Sequence, residues 1–468
     1  MRHPLPILLL AFVAAFPALA QEAPAAAQQR DAQDEPAQEW RAAQDEDAQD
    51  EGEPADEAPA PSDDPDAAES AASKVPLDEI KRYVAVYNAI KEAYVDPVDD
   101  RKLMGSAIRG LLLDLDPHSA YLEKDDAEAF DEDTNGAYDG IGVEVQQLPD
   151  GKVRIIAPID DTPAARAGIK AGDVIVAVDG KPLTPASAEG QGPLRGEPGS
   201  TVKLTVLREG AAKPIDVSVK RETIRIASVR SRMLEPGYAY IRVSAFQADT
   251  AADFEKAMAT LQAGAGGRLR GLVLDLRSNP GGLLTSAVQI ADDLLDSGAI
   301  VSTRGRIPVS DTRFSATPGD LMHGAPVAVL VDAGSASASE VLAGALHDNH
   351  RARIVGSRTF GKGSVQTVLP LDNGDSVKLT TARYYTPSGK SIQARGIEPD
   401  VVLKPEGAEA GDAHADYAEA MLPGHLHGDE EEAGANAGDV LDGDGYIAQA
   451  LAEVKKQVAS AGKPAGQG

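Results

Sequence analysis

Four short stretches hold side chains whose types and spacing could do chemistry. Ser335-Ala336-Ser337-Ala338-Ser339-Glu340 opens an apolar run. A serine at a helix N-terminus could act as a nucleophile, because the helix dipole and unpaired N–H groups favour a developing oxyanion. Ser337 with Glu340 three residues on is also a capping box, and in a bare four-residue pattern that is the commoner meaning. A serine nucleophile needs a base, and none of the eight histidines suits. His3 falls in the apolar N-terminus, and His414, His425 and His427 fall in an acidic tail expected to be mobile. His118 belongs to a helical stretch and His323 to a loop, while His347 and His350 have no route back to Ser337 along their own helix. As metal ligands these last two lack a third partner, and HExxH is absent. No metal or cofactor is expected.

Lysine is the remaining base. Thr359-Phe360-Gly361-Lys362-Gly363-Ser364-Val365-Gln366 sets one lysine between two glycines at the entry to an apolar strand. Partial burial there would lower its pKa and yield a neutral amine; a solvated turn is the plainer alternative. Asp275-Leu276-Arg277-Ser278-Asn279-Pro280-Gly281-Gly282 ends a strand and starts a helix. An N–H at Gly281 or Gly282 could share an oxyanion with that of Ala338, or the segment is a strand–helix turn and nothing more.

The elements needed to position these groups are visible as periods. Tyr238–Val243, Gly271–Leu276 and Val327–Val331 read as strands. Phe254, Met258 and Leu261 form a helical stripe, and Leu283–Leu295 and Ser337–Leu346 read as helices,. Such alternation implies a β/α layered domain with parallel pairing. Upstream, Gly140-Ile141-Gly142-Val143, then Ala164–Gly168 and Gly172-Asp173-Val174-Ile175, resemble a PDZ-type domain. Its glycine-flanked loop would offer backbone N–H groups to a chain-terminal carboxylate, the bound peptide adding as an extra strand. The second wall of that groove reads PASAEGQGPLRG, a poor helix former,.

The chain has 468 residues, no cysteine and a net charge of −29. Disulfides, iron–sulfur clusters and thiol nucleophiles are excluded, and the acidity argues against nucleic acid as a partner. The charge is uneven: −14 over 21–75, −9 over 401–468, and only −7 over 76–400. Met1–Ala20 has the arginine, apolar run and small-residue site of a secretory signal cleaved after Ala20; an inner-membrane anchor facing the periplasm is the alternative. Once the signal is removed, stable membrane insertion is not expected. The expected organisation is a signal (1–20), a disordered acidic leader with Trp40 (21–75), a helical unit (76–135), a β-rich PDZ-like module (136–222), a β/α core (223–402) and an acidic tail with a short helix (403–468). The class is thus multidomain α+β. In the tail, Asp439–Ile447 hints at a calcium loop but lacks its first and twelfth acids,, so a linker into a helix is expected.

In order, the signal, LDPHSAYL, the PDZ pattern, DLRSNPGG, GSASASE, TFGKGSVQ and LTTARYYTPSGKSIQARGIEPD resemble the C-terminal processing peptidases, over about 76–402. The resemblance implies a crotonase-like peptidase core and a periplasmic serine endopeptidase. Ser337 and Lys362 stand 25 residues apart with Gln366 four further on, the family's spacing, which selects Ser337 over Ser335 and Ser339. It further implies that Ser337 attacks the peptide carbonyl, Lys362 takes the proton and Gln366 orients the amine. Ala338 with Gly281 or Gly282 would hold the oxyanion, and Glu340 supports the site or caps the helix. The implied partners are polypeptides with free apolar C-termini, with room for a homo-oligomer or an adaptor protein. A catalytically silent PDZ scaffold on the same fold is the competing class; its mark would be loss of the serine or lysine, and both are present. A Ser-His-Asp protease fails for want of a GNSGGP-like loop.

Overall fold

The structure, a computed structural model, describes residues 75–184, 193–405, 418–429, 431 and 438–461. The expected signal, the acidic leader with Trp40, residues 185–192 of the groove wall and His414 lie outside the described residues. The chain divides after Leu115. On the N-terminal side stand helices α1 (Leu77–Ala93) and α2 (Asp100–Leu113). The Asp99 side chain caps α2 by accepting the Lys102 N–H, and Tyr87 and Lys91 of α1 both bind Asp100.

The larger unit begins with strand β1 (Ala120–Leu122) and helix α3 (Lys124–Asn135). A unit helical throughout 76–135 was expected; β1 differs, pairing antiparallel with residues 376–378. Three residues are too few to show a strand period.

Strands β2 (Ala137–Gly140), β3 (Val143–Gln147) and β4 (Val153–Pro158) follow, then the single helical turn α4 (Pro163–Arg166). Next come β5 (Val174–Val178), β6 (Lys181–Pro182), β7 (Thr201–Leu207), β8 (Ile215–Lys220) and β9 (Glu222–Arg225). β2 pairs with β9, bringing the ends of this module together, and β3-β4-β5-β7-β8 form an antiparallel sheet with β6 on β5. Its core holds Ile141, Ile155, Ile175, Val202, Leu204 and Val206. β3 is an outer strand, so one row of its backbone groups faces away from the sheet,.

The remaining chain supplies β10 (Val229–Glu235), β11 (Tyr238–Val243), α5 (Thr250–Gly264), β12 (Gly271–Asp275), α6 (Leu284–Leu294), β13 (Ala299–Gly305), β14 (Arg313–Ser315), β15 (Val327–Val331) and α7 (Ala338–Asp348). It closes with β16 (Ala352–Gly356), β17 (Ser364–Pro370), β18 (Ser376–Tyr385), β19 (Val401–Val402) and α8 (Gly445–Ala461). One sheet runs β10-β11-β12-β15-β16-β19, parallel from β11 onward; a second is antiparallel, β1-β18-β13-β14 with β17 on β18. β12 and β15 are buried along their whole length, as strands covered on both faces must be,. Leu272, Leu274, Val327 and Val329 pack with α5, α6 and α7, while Val273, Ala328 and Leu330 pack with Tyr446, Ile447 and Val454 of α8. Gly271 lets α8 approach, since a Cβ there would stand 2.2 Å from Val454 Cγ1. Among the described residues, no helix is long and apolar enough to cross a membrane.

Candidate active site

The Ser337 turn leaves the C-terminal end of β15. Ser337 has φ 54° and ψ −115°, a conformation that L-residues avoid and that costs of order 1–3 kcal/mol. A sharp strand-to-helix turn of this kind lifts one side chain out of the packing. Its neighbours are committed elsewhere. Ser335 Oγ donates to Leu276 O (2.8 Å) and accepts the Asp332 N–H (3.0 Å), and Ser339 Oγ donates to Asn279 O (2.9 Å). Both serines are fully buried. Ser337 instead shares a side-chain hydrogen bond with Tyr384 of β18, whose phenol burial pushes up to about 12.

Glu340 joins the loops. Its Oε2 accepts the Ser337 N–H (2.8 Å) and the Lys362 N–H (2.9 Å); its Oε1 accepts Thr359 Oγ1 (2.5 Å) and the Gly361 N–H (2.7 Å). The side chain is fully buried, which raises its pKa to about 7 against the pull of those four donors. Glu340 is therefore more than a helix cap: it fastens the serine turn to the lysine loop.

Lys362 is half-buried and its pKa is lowered, chiefly by burial and secondly by the positive charge of Lys378. Glu419, Glu340 and Asp116 pull the other way. The flanking glycines explain the burial. A Cβ on Gly363 would lie 2.2 Å from Gln393 N, and Gly361, at φ 94°, lies against the backbone of Arg395 and Gly396. That contact packs the backbone on both sides of Lys362 against residues 393–396. The Gln366 amide nitrogen donates to Ser364 Oγ (3.0 Å) and Thr380 Oγ1 (3.3 Å), which fixes the amide's orientation; among the described residues these bonds do not run to Lys362.

The two glycines differ. A Cβ on Gly281 would meet Ser337 Cβ at 2.8 Å and Ala338 N at 3.1 Å, whereas one on Gly282 would meet Phe246 O at 2.1 Å. Only Gly281 lies against the serine turn, and its N–H donates to Asn279 Oδ1 (2.9 Å). The rest of DLRSNPGG is scaffolding. Arg277 binds both oxygens of buried Asp275 (3.0 and 2.7 Å) and donates to Leu441 O and Gly443 O. The Asp439–Ile447 segment, expected as a linker into a helix, is thus a strap tied to the core, with the Leu441 N–H on Asp332 Oδ2. Arg277→Met should strip Asp275 of its main counter-charge and destabilise the fold by about 3–5 kcal/mol, read as a lowered denaturant midpoint at unchanged slope.

Gly140 ends β2, Ile141 is buried in the β-rich module, Gly142 turns at φ 77° with Thr162 against it, and Val143 opens β3. Thr162 Oγ1 and the Ile159 N–H both bind Gly142 O.

Several functional neighbours were invisible in sequence. His118, placed from the sequence only in a helical stretch, lies 2.8 Å from Glu419, a fully buried carboxylate that also accepts from Gln393 Nε2 (2.9 Å). His425 and His427, expected in a mobile tail, sit in a segment docked on the core: Gln393 Nε2 donates to Leu426 O and Arg383 to His427 O. Thr359 and Tyr384 fell within quoted motifs, but nothing local marked their partners.

Comparison with known proteins gives three matching regions. Residues 237–403 match peptidase family S41, 140–219 match a PDZ domain, and 36–126 match the activating protease CtpB N-terminal domain. A carboxy-terminal-processing protease of Bartonella bacilliformis is 42% identical over 358 residues, 75% of this chain and 82% of the relative. Carboxy-terminal processing protease CtpA of Bacillus subtilis is 36% identical over 318 residues, 67% of each chain. Among solved structures, the photosystem II D1 C-terminal processing protease is 33% identical with a TM-score of 0.41, covering 69% of this chain and 92% of that one.

Proposed function

The chain belongs to the carboxy-terminal processing proteases of peptidase family S41, and from that premise we propose that it cleaves polypeptides by a Ser337–Lys362 dyad after its PDZ domain captures their C-terminal tails. It is a serine-type peptidase with a PDZ domain. The observation that carries the dyad is the Glu340 carboxylate, one oxygen of which accepts the N–H of both Ser337 and Lys362. That shared anchor holds nucleophile and base on one buried point.

In the proposed reaction, neutral Lys362 removes the Ser337 hydroxyl proton as Oγ attacks the scissile carbonyl. The tetrahedral oxyanion takes the Ala338 N–H, a first-turn donor of α7 outside the helical ladder. For the second donor we take Gly281 over Gly282, because its backbone lies against Ala338; its N–H, held by Asn279 Oδ1 in the free enzyme, exchanges that acceptor for the oxyanion. Protonated Lys362 then gives its proton to the leaving amine, and water repeats the sequence on the acyl-enzyme. Gln366 orients the amine through its amide oxygen, its nitrogen being held by Ser364 and Thr380. The N-terminal sequence supports a site of action in the periplasm, with the signal cleaved after Ala20.

Tail capture rests on the outer strand β3 and the Gly140–Val143 loop. A peptide adding beside β3 would gain main-chain hydrogen bonds and present its terminal carboxylate to loop N–H groups. Unfolded polypeptides with apolar free tails should therefore be cut best. Amidating the tail, or appending Asp-Asp, should slow cleavage several-fold in a gel-based time course. Equal rates for free and blocked tails would remove the loop from substrate choice while leaving the dyad untouched.

A further inference from the structure

We propose that His425, His427 and Glu431 form a binding site for a divalent transition-metal ion of the zinc class. His425 Nδ1 lies 3.1 Å from Leu422 O. A carbonyl can only accept, so this nitrogen carries a hydrogen, and Nε2 is the nitrogen left to meet a cation. Nε2 faces Glu431 Oε1 at 3.0 Å. A proton fills that gap when no metal is bound, and a metal ion that displaces it would bind the same two atoms. The other carboxylate oxygen, Oε2, lies 3.0 Å from His427 Nδ1 and accepts the Gly428 N–H at 3.2 Å. An imidazole held by a backbone carbonyl through one nitrogen, with the other turned to a carboxylate, is the usual preparation of a metal ligand.

The geometry suits a small tetrahedral ion. One ligand atom from each residue lies within 4.8 Å of the others. Ligands at about 2.0–2.2 Å from zinc stand roughly 3.4 Å apart, close to the 3.0 Å between each histidine nitrogen and its nearer Glu431 oxygen, Oε1 for His425 and Oε2 for His427. The nitrogen–nitrogen edge can shorten by rotation of the His427 ring, whose side chain is 85% exposed. Two imidazoles and one carboxylate favour zinc, cobalt or nickel over magnesium or calcium, and the exposed side of His427 leaves room for water as a fourth ligand. The site would clip a segment already docked through Leu426 and His427 onto Gln393 and Arg383. The same segment carries Glu419, whose N–H donates to Phe360 O two residues before Lys362.

The test uses the untagged full-length chain, stripped with chelator and titrated with Zn²⁺ and Co²⁺. One equivalent of Zn²⁺ should bind at micromolar or tighter affinity and raise the melting temperature. Co²⁺ should give the intense visible bands of a tetrahedral site. Glu431→Gln and His425→Gln should each weaken binding at least tenfold, and His427→Ala, an exposed change that leaves the fold intact, should do the same. Absence of saturable uptake, uptake unchanged in His427→Ala, or equal affinity for Mg²⁺ would each overturn the assignment. None of these readouts depends on peptidase activity.

Discussion

Lys362→Met is expected to lower the turnover of a polypeptide substrate by about 10⁴-fold while raising thermal stability at neutral pH. Methionine keeps an apolar stem of similar length and removes the amine. In the folded protein burial and Lys378 lower the pKa of this lysine, whereas in the unfolded chain it returns to about 10.4. Below the lowered value both states carry the proton, and folding bears the full cost of a buried cation. Between the two values the unfolded state holds a proton that the native state lacks, so wild-type stability rises with pH. Above about 10.4 neither is charged and the penalty is gone. The gain in melting temperature of Lys362→Met over wild type should therefore be large at pH 7 and vanish toward pH 10.5. Ser337→Ala separates the two effects. It should be equally inactive, yet show no pH-dependent gain, because no titrating group has been lost. An active Lys362→Met enzyme would end the dyad assignment; an inactive one of unchanged stability would show a solvated amine.

How far the sequence led depended on whether the signal was local. The stripe Phe254, Met258 and Leu261 and the apolar runs 271–276 and 327–331 announce α5, β12 and β15, because period and burial are properties of neighbouring residues,. Ser337, Lys362 and Gln366 were singled out by a spacing similar to the family's, yet the carboxylate that ties the serine turn to the lysine loop was not legible. Glu340 reaches Thr359 and Lys362 across 19 and 22 residues, and His118 reaches Glu419 across 301. Strand β1 owes its existence to β18, more than 250 residues away, and α8 owes its place to Gly271 lacking a side chain. Such partners are set by tertiary packing, and no window along the chain contains both members.

Glu340 carries the second large expectation. Burial raises its pKa from about 4.5 to about 7, which corresponds to roughly 3 kcal/mol disfavouring the ionised native state at neutral pH. The sign is opposite to the usual acid. Between those values the native state holds a proton that the unfolded state has released, so stability falls as pH rises through this window and is level above it. The ionised form is nevertheless the one that the donors require, since Ser337 N–H and Lys362 N–H meet one oxygen while Thr359 Oγ1 and Gly361 N–H meet the other. Protonation turns one oxygen into a donor and sets it against one of these pairs. Glu340→Gln does so permanently, whichever way the amide faces, leaving two buried donors unmet at about 1–3 kcal/mol each. We expect turnover about 10²-fold below wild type at pH 8, with the helix and sheet content unchanged. The decisive readout is the acid limb of the activity profile. Under the proposed mechanism wild type should lose activity through protonation of both Lys362 and Glu340, so its limb should be steeper than that of a single ionisation. In Glu340→Gln one ionisation is gone, and the limb should flatten. It should also move to lower pH, because the negative charge that supported the protonated lysine has been removed,. A residue that merely capped α7 would cost about 1 kcal/mol on substitution and would leave the slope and position of that limb where they were.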